Sequence, residues 1–273
     1  MALLHALWQS AADPAAGLSL VVAHFDHGIR EDSAQDRQLV AAVARDYGLD
    51  YVYDEGFLGA GASEARAREA RYGFLEQVRV VHDADAIITA HHQDDVVETA
   101  LLNMLRGTKG RGLGSLRSAG KRVRPLLGVT KADIIAYATE HTLRWREDST
   151  NQDERYVRNY VRRNVVPKMS LSQREQLLQT VHHAQVLQAE IDQLLLPHSQ
   201  SGQLDRRWFI ALPHVVAREA MAAWLRQNSV AFNRRTIERL VVFAKTALPG
   251  KAASVDAGHT LTARKDHIIL LPL

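Results

Sequence analysis

The chain contains no cysteine in its 273 residues. That excludes disulfides, thiolate zinc sites, cysteine-ligated iron–sulfur clusters and any reaction through a Cys nucleophile or persulfide carrier. No apolar run approaches the roughly 18 to 20 residues that span a bilayer. The apolar start, MALLHALWQSAADP, lacks the basic n-region and small-residue cleavage site of a signal peptide. The expectation is a cytoplasmic protein with no membrane partner. Internal repeats and low-complexity tracts are lacking too. A composition of 46% hydrophobic and 24% charged residues is ordinary for a globular protein, and the length allows two modest domains.

What the sequence does have is charge of two signs in two places. Residues 1–105 carry 7 Lys/Arg against 17 Asp/Glu, whereas residues 106–168 carry 15 against 6. A basic band after an acidic half suits the docking of a polyphosphate. Arg-rich, solvated loops and helix faces fit the same numbers.

The first half alternates strand and helix signals. Ser19–Asp26 is a short apolar, β-branched run; Ser33–Tyr47 has helical spacing; Tyr51–Tyr53 reads as a strand after the turn at Gly48. Ser63 caps a helix running to about Val81, with Glu64 and Glu69 towards its positive end. Ala86–Ala90 is a third strand, followed by a helix to about Arg106. Strands separated by helices indicate βαβ units: an α/β fold with a doubly wound, mostly parallel sheet. A Gly-rich basic loop, Gly107–Gly120, and breaks at Pro125, Glu147–Glu154 and Pro167 follow. Beyond Pro167 the alternation stops. Residues 170–196 and 214–248 look helical and Thr260–Leu271 looks like a closing hairpin, which sets a small, mainly helical domain at 169–273 after an α/β domain at 1–168. The helix at Ala2–Ala12 has no strand before it, although the first strand of a doubly wound sheet is usually central and its exit loop binds phosphate.

Four segments carry chemistry. In His91-His92-Gln93-Asp94-Asp95-Val96-Val97-Glu98-Thr99, at a strand-to-helix junction, Asp95 and Glu98 lie three apart on one helix face with His91 a turn earlier. Such a trio could hold Mg²⁺ or receive an amine; capping and dipole compensation, to which Asp94 and Asp95 are suited, is the plainer reading. His24-Phe25-Asp26-His27-Gly28 closes the first strand and reads either as a crevice lining or as a turn built on Asp26 and Gly28. Arg68 and Arg71 form a basic stripe beside the apolar stripe of Tyr72 and Leu75, as a solvated Arg face would. Finally, Arg158, Asn159, Arg162 and Arg163 crowd one helix, with Tyr156 and Tyr160 among them. Arginine forks for phosphate and aromatic faces for unpaired bases favour an RNA contact there.

Taken in order, the strings HFDHGIREDS, SEARAREARYGFL, TAHHQDDVVETALLNMLRGTKGRGLGSL, RPLLGVTKADIIAYA and WREDSTNQDERYVRNYVRRNVVP resemble the blocks of the tRNA(Ile)-lysidine synthetases, over about residues 1–168. Residues 204–271 are similar, with weaker signals, to that family's small tRNA-contacting domain. The resemblance implies an adenine nucleotide alpha-hydrolase-like fold and an ATP pyrophosphatase. Such an enzyme converts the wobble cytidine of an isoleucine tRNA with a CAU anticodon to lysidine, with ATP and Mg²⁺ as cofactors and free L-lysine as co-substrate. It implies Asp95 and Glu98 as lysine- and magnesium-handling carboxylates with His91 beside them, and Arg71 on the target base or phosphates. By the same resemblance Asp26 and His27 line the adenosine crevice, while Arg68, Arg158, Asn159, Arg162 and Arg163 contact nucleotide or tRNA. Val96 stands where the family has Gln, and the family's SGGxDS loop is absent. The expectation is a chain that lacks its first strand and phosphate loop and that adenylates little or not at all. A catalytically inactive RNA-binding relic, or another tRNA-modifying pyrophosphatase, shares these features. The absence of Cys counts against thiolases.

Overall fold

The computed structural model describes residues 1–28, 33–56, 59, 63–108, 112–146, 157–200 and 202–272. The break at 147–154, the aromatic Tyr156, and residues 109–111 of the Gly-rich loop lie outside them. The chain forms two compact units, Met1–Gln179 and Thr180–Leu273. The division falls inside a continuous helix, Leu171–Leu195, and not at the break near Pro167. A proline tolerated in the first turn of a short 3₁₀ segment, Val166–Lys168, interrupts the local spacing without ending the packing.

In the first unit, Val21–Asp26 (β1) and Asp50–Glu55 (β2) pair in parallel, from Val21 opposite Asp50 to Asp26 opposite Glu55. Between them runs helix α2, Ser33–Asp46, which fully buries Ala44. Tyr47, which the spacing puts in this helix, lies in the turn after it, where Gly48 takes φ +67°. Helix α3, Glu64–Val81, starts as expected: the Ser63 hydroxyl accepts the Arg66 N–H at 3.3 Å. Its apolar face buries Tyr72, Phe74 and Val78.

The third strand is shorter than Ala86–Ala90: only Ile87–Ile88 (β3) pairs, in parallel, with Arg122–Val123 (β4). A two-residue strand with an exposed arginine carries no periodic signal, which is why β4 escapes a reading of the sequence. The parallel pairing of an α/β fold is therefore present but divided between two two-stranded sheets. Among the described residues no strand joins β1 to β3. Helix α1, Ala2–Ala11, packs through rings: His5 Nδ1 lies 2.9 Å from the Tyr137 hydroxyl of helix α5, Lys131–Glu140, and Trp8 stacks on Tyr47 at 4.4 Å.

Helix α4, Gln93–Leu105, follows β3. Val97 and Leu102 pack with Val161 and Val166 of the segment that begins as α6, Val157–Tyr160, and continues as a π-helical stretch, Val161–Val165. This contact sets arginines of the second segment against carboxylates of α4. Helix α7, Leu171–Leu195, leads into the second unit.

That unit contains the expected helices together with a five-stranded antiparallel sheet, of which the sequence pattern reveals only the closing hairpin. The strands are Ser199–Gln200 (β5), Gln203–Asp205 (β6), Ala252–Ser254 (β7), His259–Ala263 (β8) and His267–Pro272 (β9), in spatial order β5-β6-β9-β8-β7. Helices α8, Arg206–Ala211, α9, His214–Gln227, and α10, Arg234–Thr246, cover it, burying Phe209, Met221, Trp224, Leu240, Leu261 and Ile268 in one core. The helical stretch expected over 214–248 consists of two helices, because Ser229 takes φ +60° and the Asn233 side chain caps the second by accepting the Thr236 N–H at 2.9 Å. Arg206 is buried and donates to the carbonyls of Ala244 (2.9 Å) and Ala247 at the C-terminal end of α10, and to that of Arg264 (2.9 Å) just after β8. Among the described residues no helix is long and apolar enough to cross a membrane.

Candidate active site

The carboxyl ends of β1 and β3 bound a cleft of about 470 Å³, within the range of small-ligand sites. His24, Phe25 and His27 form one wall, Thr89, Ala90 and His91 the other; Arg71 and Leu75 of α3 and Asp95 of α4 complete it. This is where parallel α/β sheets present ligand-binding groups, because loops leaving strand ends are free to carry polar side chains.

Of the expected crevice residues, His27 lines the cleft and Asp26 is turned into the following loop. Asp26 Oδ1 accepts the Gly28 N–H at 2.9 Å, and Gly28 takes φ +63°, so this carboxylate builds the turn. Burial acts to raise the Asp26 pKa, but the Gly28 N–H and the Ser33 hydroxyl outweigh it and hold the acid below its usual range.

His91 faces the cleft with Nδ1 2.9 Å from the Thr89 hydroxyl. Burial lowers its pKa to about 4; Asp95 opposes this and Arg124, Arg71 and Arg68 reinforce it. The imidazole is neutral at pH 7 and offers one donor and one acceptor. Asp95 sits in the first turn of α4 and accepts the His92 backbone N–H at 2.9 Å through Oδ2. Its Oδ1 lies 3.4 Å from Arg162 Nη2. It is thus both a helix cap and a cleft group.

Glu98 is placed differently. Its side chain is only 2% exposed, and Arg162 embraces it: Nε donates to Oε1 at 2.6 Å and Nη2 to Oε2 at 2.9 Å. Arg158 Nε adds a bond to Oε2 at 3.3 Å, and its Nη2 reaches the Thr99 hydroxyl at 3.3 Å. A third arginine, Arg174 of α7, binds Asp94 at 3.3 Å and the Val166 carbonyl at 2.9 Å. The arginines expected as a phosphate-facing stripe therefore include two that neutralise α4's acids. The π-helical stretch carries Arg162 to Glu98; Arg163, next to it, is exposed. Asn159 is half-buried on the same segment.

This arrangement does not fit a Mg²⁺ site at Asp95 and Glu98. Both oxygens of Glu98 are taken by guanidinium groups, and among the described residues no three His, Asp or Glu side chains converge as a metal requires.

Arg71 is partly buried, and burial lowers its pKa, with repulsion from Arg68 and Arg158 adding to the effect against an attraction to Tyr72. Tyr72 has a second role beyond the apolar stripe in which its spacing places it. Its ring is buried as that stripe requires, yet its hydroxyl accepts from Arg124 Nη2 at 3.2 Å. Arg122 and Arg124 carry no helical or strand spacing that would link them to α3; only their basicity is legible in the sequence.

Residues 1–169 match the family model described as a PP-loop domain. Proteins similar to the chain include the tRNA(Ile)-lysidine synthase of Gloeobacter violaceus, 34% identical over 91% of this chain and 80% of that protein. Those of Solibacter usitatus (32%) and Thermus thermophilus (33%) each match over 94% of this chain. The chain belongs to the PP-loop domain family and, within it, to the tRNA(Ile)-lysidine synthases. It spans 56% and 53% of the length of the Solibacter and Thermus proteins.

Proposed function

We propose that the cleft of the first unit handles a cytosine and an amine in the ATP-dependent conversion of the wobble cytidine of CAU-anticodon isoleucine tRNA to lysidine. The observation that supports it best is the juxtaposition, in one cleft, of a carboxylate (Asp95), a neutral imidazole (His91) and a partly buried guanidinium (Arg71).

The chemistry follows from what cytosine lacks. Its C2 is a poor electrophile until the C2 oxygen attacks the α-phosphorus of ATP, forming a C–O–P linkage and expelling pyrophosphate. The ε-amine of lysine then attacks C2, the C–O bond breaks with its electrons on oxygen, and AMP departs. The amine must arrive unprotonated or lose its proton on attack, so an acceptor close to C2 is required. Asp95 fills this role, with Glu98 as a positioning residue that fixes Arg158 and Arg162 beneath it. Arg71 faces the charge that develops on the departing phosphate, and neutral His91 accepts from or donates to the base edge without adding a charge. The C2 oxygen is engaged in pairing inside a duplex, so the substrate base comes from a single-stranded loop. Exposed Arg163, Arg68 and Tyr160 meet the surrounding RNA, with Asn159 beside them; ATP is the nucleotide that His27 and Phe25 face.

The test is pyrophosphate release from ATP with single omissions of lysine and of CAU-anticodon isoleucine tRNA. It is run on this chain and on the same chain joined at its start to a strand and an SGGxDS loop. Sustained, multiple-turnover release by the joined protein that requires all three substrates is expected, because lysine attack is the step that clears the adenylated base. Release in the absence of tRNA would assign the cleft to a different acceptor.

A further inference from the structure

We propose that Arg68, Arg71, Arg122 and Arg124, gathered round Tyr72, form a phosphate-binding site at the edge of the cleft. The site deepens the reading of the cleft given above and rests on it. Three guanidinium carbons lie over the Tyr72 ring, Arg122 at 4.3 Å, Arg68 at 4.8 Å and Arg71 at 5.3 Å from its centroid, and the fourth arginine, Arg124, donates to the hydroxyl. One aromatic ring thus collects four positive charges from two elements distant in sequence, α3 and β4 with the residue that follows it. The ring's negative face offsets part of their repulsion. Among the described residues no carboxylate pairs with any of the four, and Glu76, whose charge reaches Arg122, is itself held by Arg79 at 2.8 Å.

The cluster also holds donors that the protein leaves unused. Arg124 is 8% exposed, and its Nε, like that of Arg71, is buried without an acceptor. Buried donors are normally paired, so two orphans in one cationic group point to an acceptor that arrives from outside. Arg124 spends its fork on the Arg117 carbonyl and the Tyr72 hydroxyl, and the guanidinium groups of Arg68, Arg71 and Arg122 beside it suit an anion with several acceptor oxygens, a phosphate better than a carboxylate. Arg68 and Arg122 are exposed and open the cluster to solvent, while Arg71 reaches the cleft and Arg68, Arg71 and Arg124 all act on His91. The phosphate belongs either to a nucleotide in the cleft or to the backbone of an RNA entering it.

The experiment is calorimetric titration of the 273-residue chain, without lysine, with pyrophosphate and with a single-stranded RNA heptanucleotide at fixed salt. Arg68→Ala and Arg122→Ala change exposed residues, and circular dichroism verifies their folding; Arg45→Ala, on α2, is the charge-matched control. Each cluster variant is expected to weaken one probe at least tenfold while Arg45→Ala leaves both unchanged. Loss confined to pyrophosphate identifies a nucleotide phosphate, and loss confined to the heptanucleotide identifies an RNA phosphodiester. Wild-type affinity for both probes in both cluster variants, no binding of either probe by the unmodified chain, or an equal loss in Arg45→Ala overturns the site. Because no turnover is measured, such a failure leaves the lysidine reading standing.

Discussion

Arg162 grips Glu98 with two parallel hydrogen bonds, at 2.6 and 2.9 Å, across 64 residues of sequence. The acid is almost fully enclosed and the arginine one-third exposed. Breaking such a pair from the acid side leaves two cations facing a neutral amide. Glu98→Gln is expected to lower unfolding free energy by about 3 kcal/mol, read as a shift in the urea midpoint. A shift under about 0.5 kcal/mol would show that the pair is solvent-screened and contributes nothing.

Asp95 lies in the same turn of the helix but faces the cleft. Asp95→Asn keeps an acceptor for the His92 N–H and removes the charge, so folding is expected to survive while lysine-dependent turnover falls well over tenfold. The measurement is turnover at saturating lysine in the loop-bearing protein. A near-normal rate removes Asp95 from the reaction.

Because Arg158 and Arg162 are bound to carboxylates, they are expected to contribute little to the salt dependence of tRNA binding. Replacing either with Ala should lower the melting temperature and leave the slope of log K against log salt unchanged. Arg163→Ala, by contrast, should flatten that slope by roughly one unit per lost phosphate contact. A flattened slope for Arg158→Ala or Arg162→Ala would return them to the RNA-facing role that their sequence pattern favours.

The His91 imidazole is held neutral by burial, with a folded pKa of about 4 against 6.5 for the free side chain. Between those values the unfolded chain binds a proton that the folded chain refuses. Stability from this source is complete above about pH 6.5, declines as pH falls and levels off near pH 4. His91→Asn is expected to reduce the loss of stability between pH 7 and pH 5, measured by urea unfolding at each pH. An identical loss in the variant assigns the pH dependence elsewhere.

Arg206 in the second unit satisfies three backbone carbonyls from inside the protein, with no carboxylate partner among its hydrogen bonds. Arg206→Leu keeps much of the volume and strands those carbonyls, at an expected cost of about 3 kcal/mol. Thermal unfolding is the measurement. A variant as stable as the wild type would mean that water reaches these carbonyls.

How much of this is legible beforehand depends on the range of the interaction concerned. Ser63 as a cap, the α3 and α4 helices, β1 and the closing hairpin rest on neighbours within a few residues, and a linear reading finds them. Polarity places His91, Asp95 and Glu98 together because they share a strand end and one helical turn. The same reading offers Asp26 both a turn with Gly28, which it makes, and a crevice, and reads Arg158 and Arg162 as facing RNA, whereas both bind Glu98.

The sequence alone determined the parallel α/β pattern, the family blocks and the polar cluster at the end of the third strand, since all three are encoded in local spacing and residue type. Only the tertiary structure decided which charges cancel. Glu98 meets Arg162 because Val97 and Leu102 pack on Val161 and Val166, and Tyr72 collects Arg122 and Arg124 because β4 pairs beside β3. An arginine's partner is chosen by folding and leaves no periodic trace, so the same basic residues read alike until the chain brings some to carboxylates and leaves others around a ring.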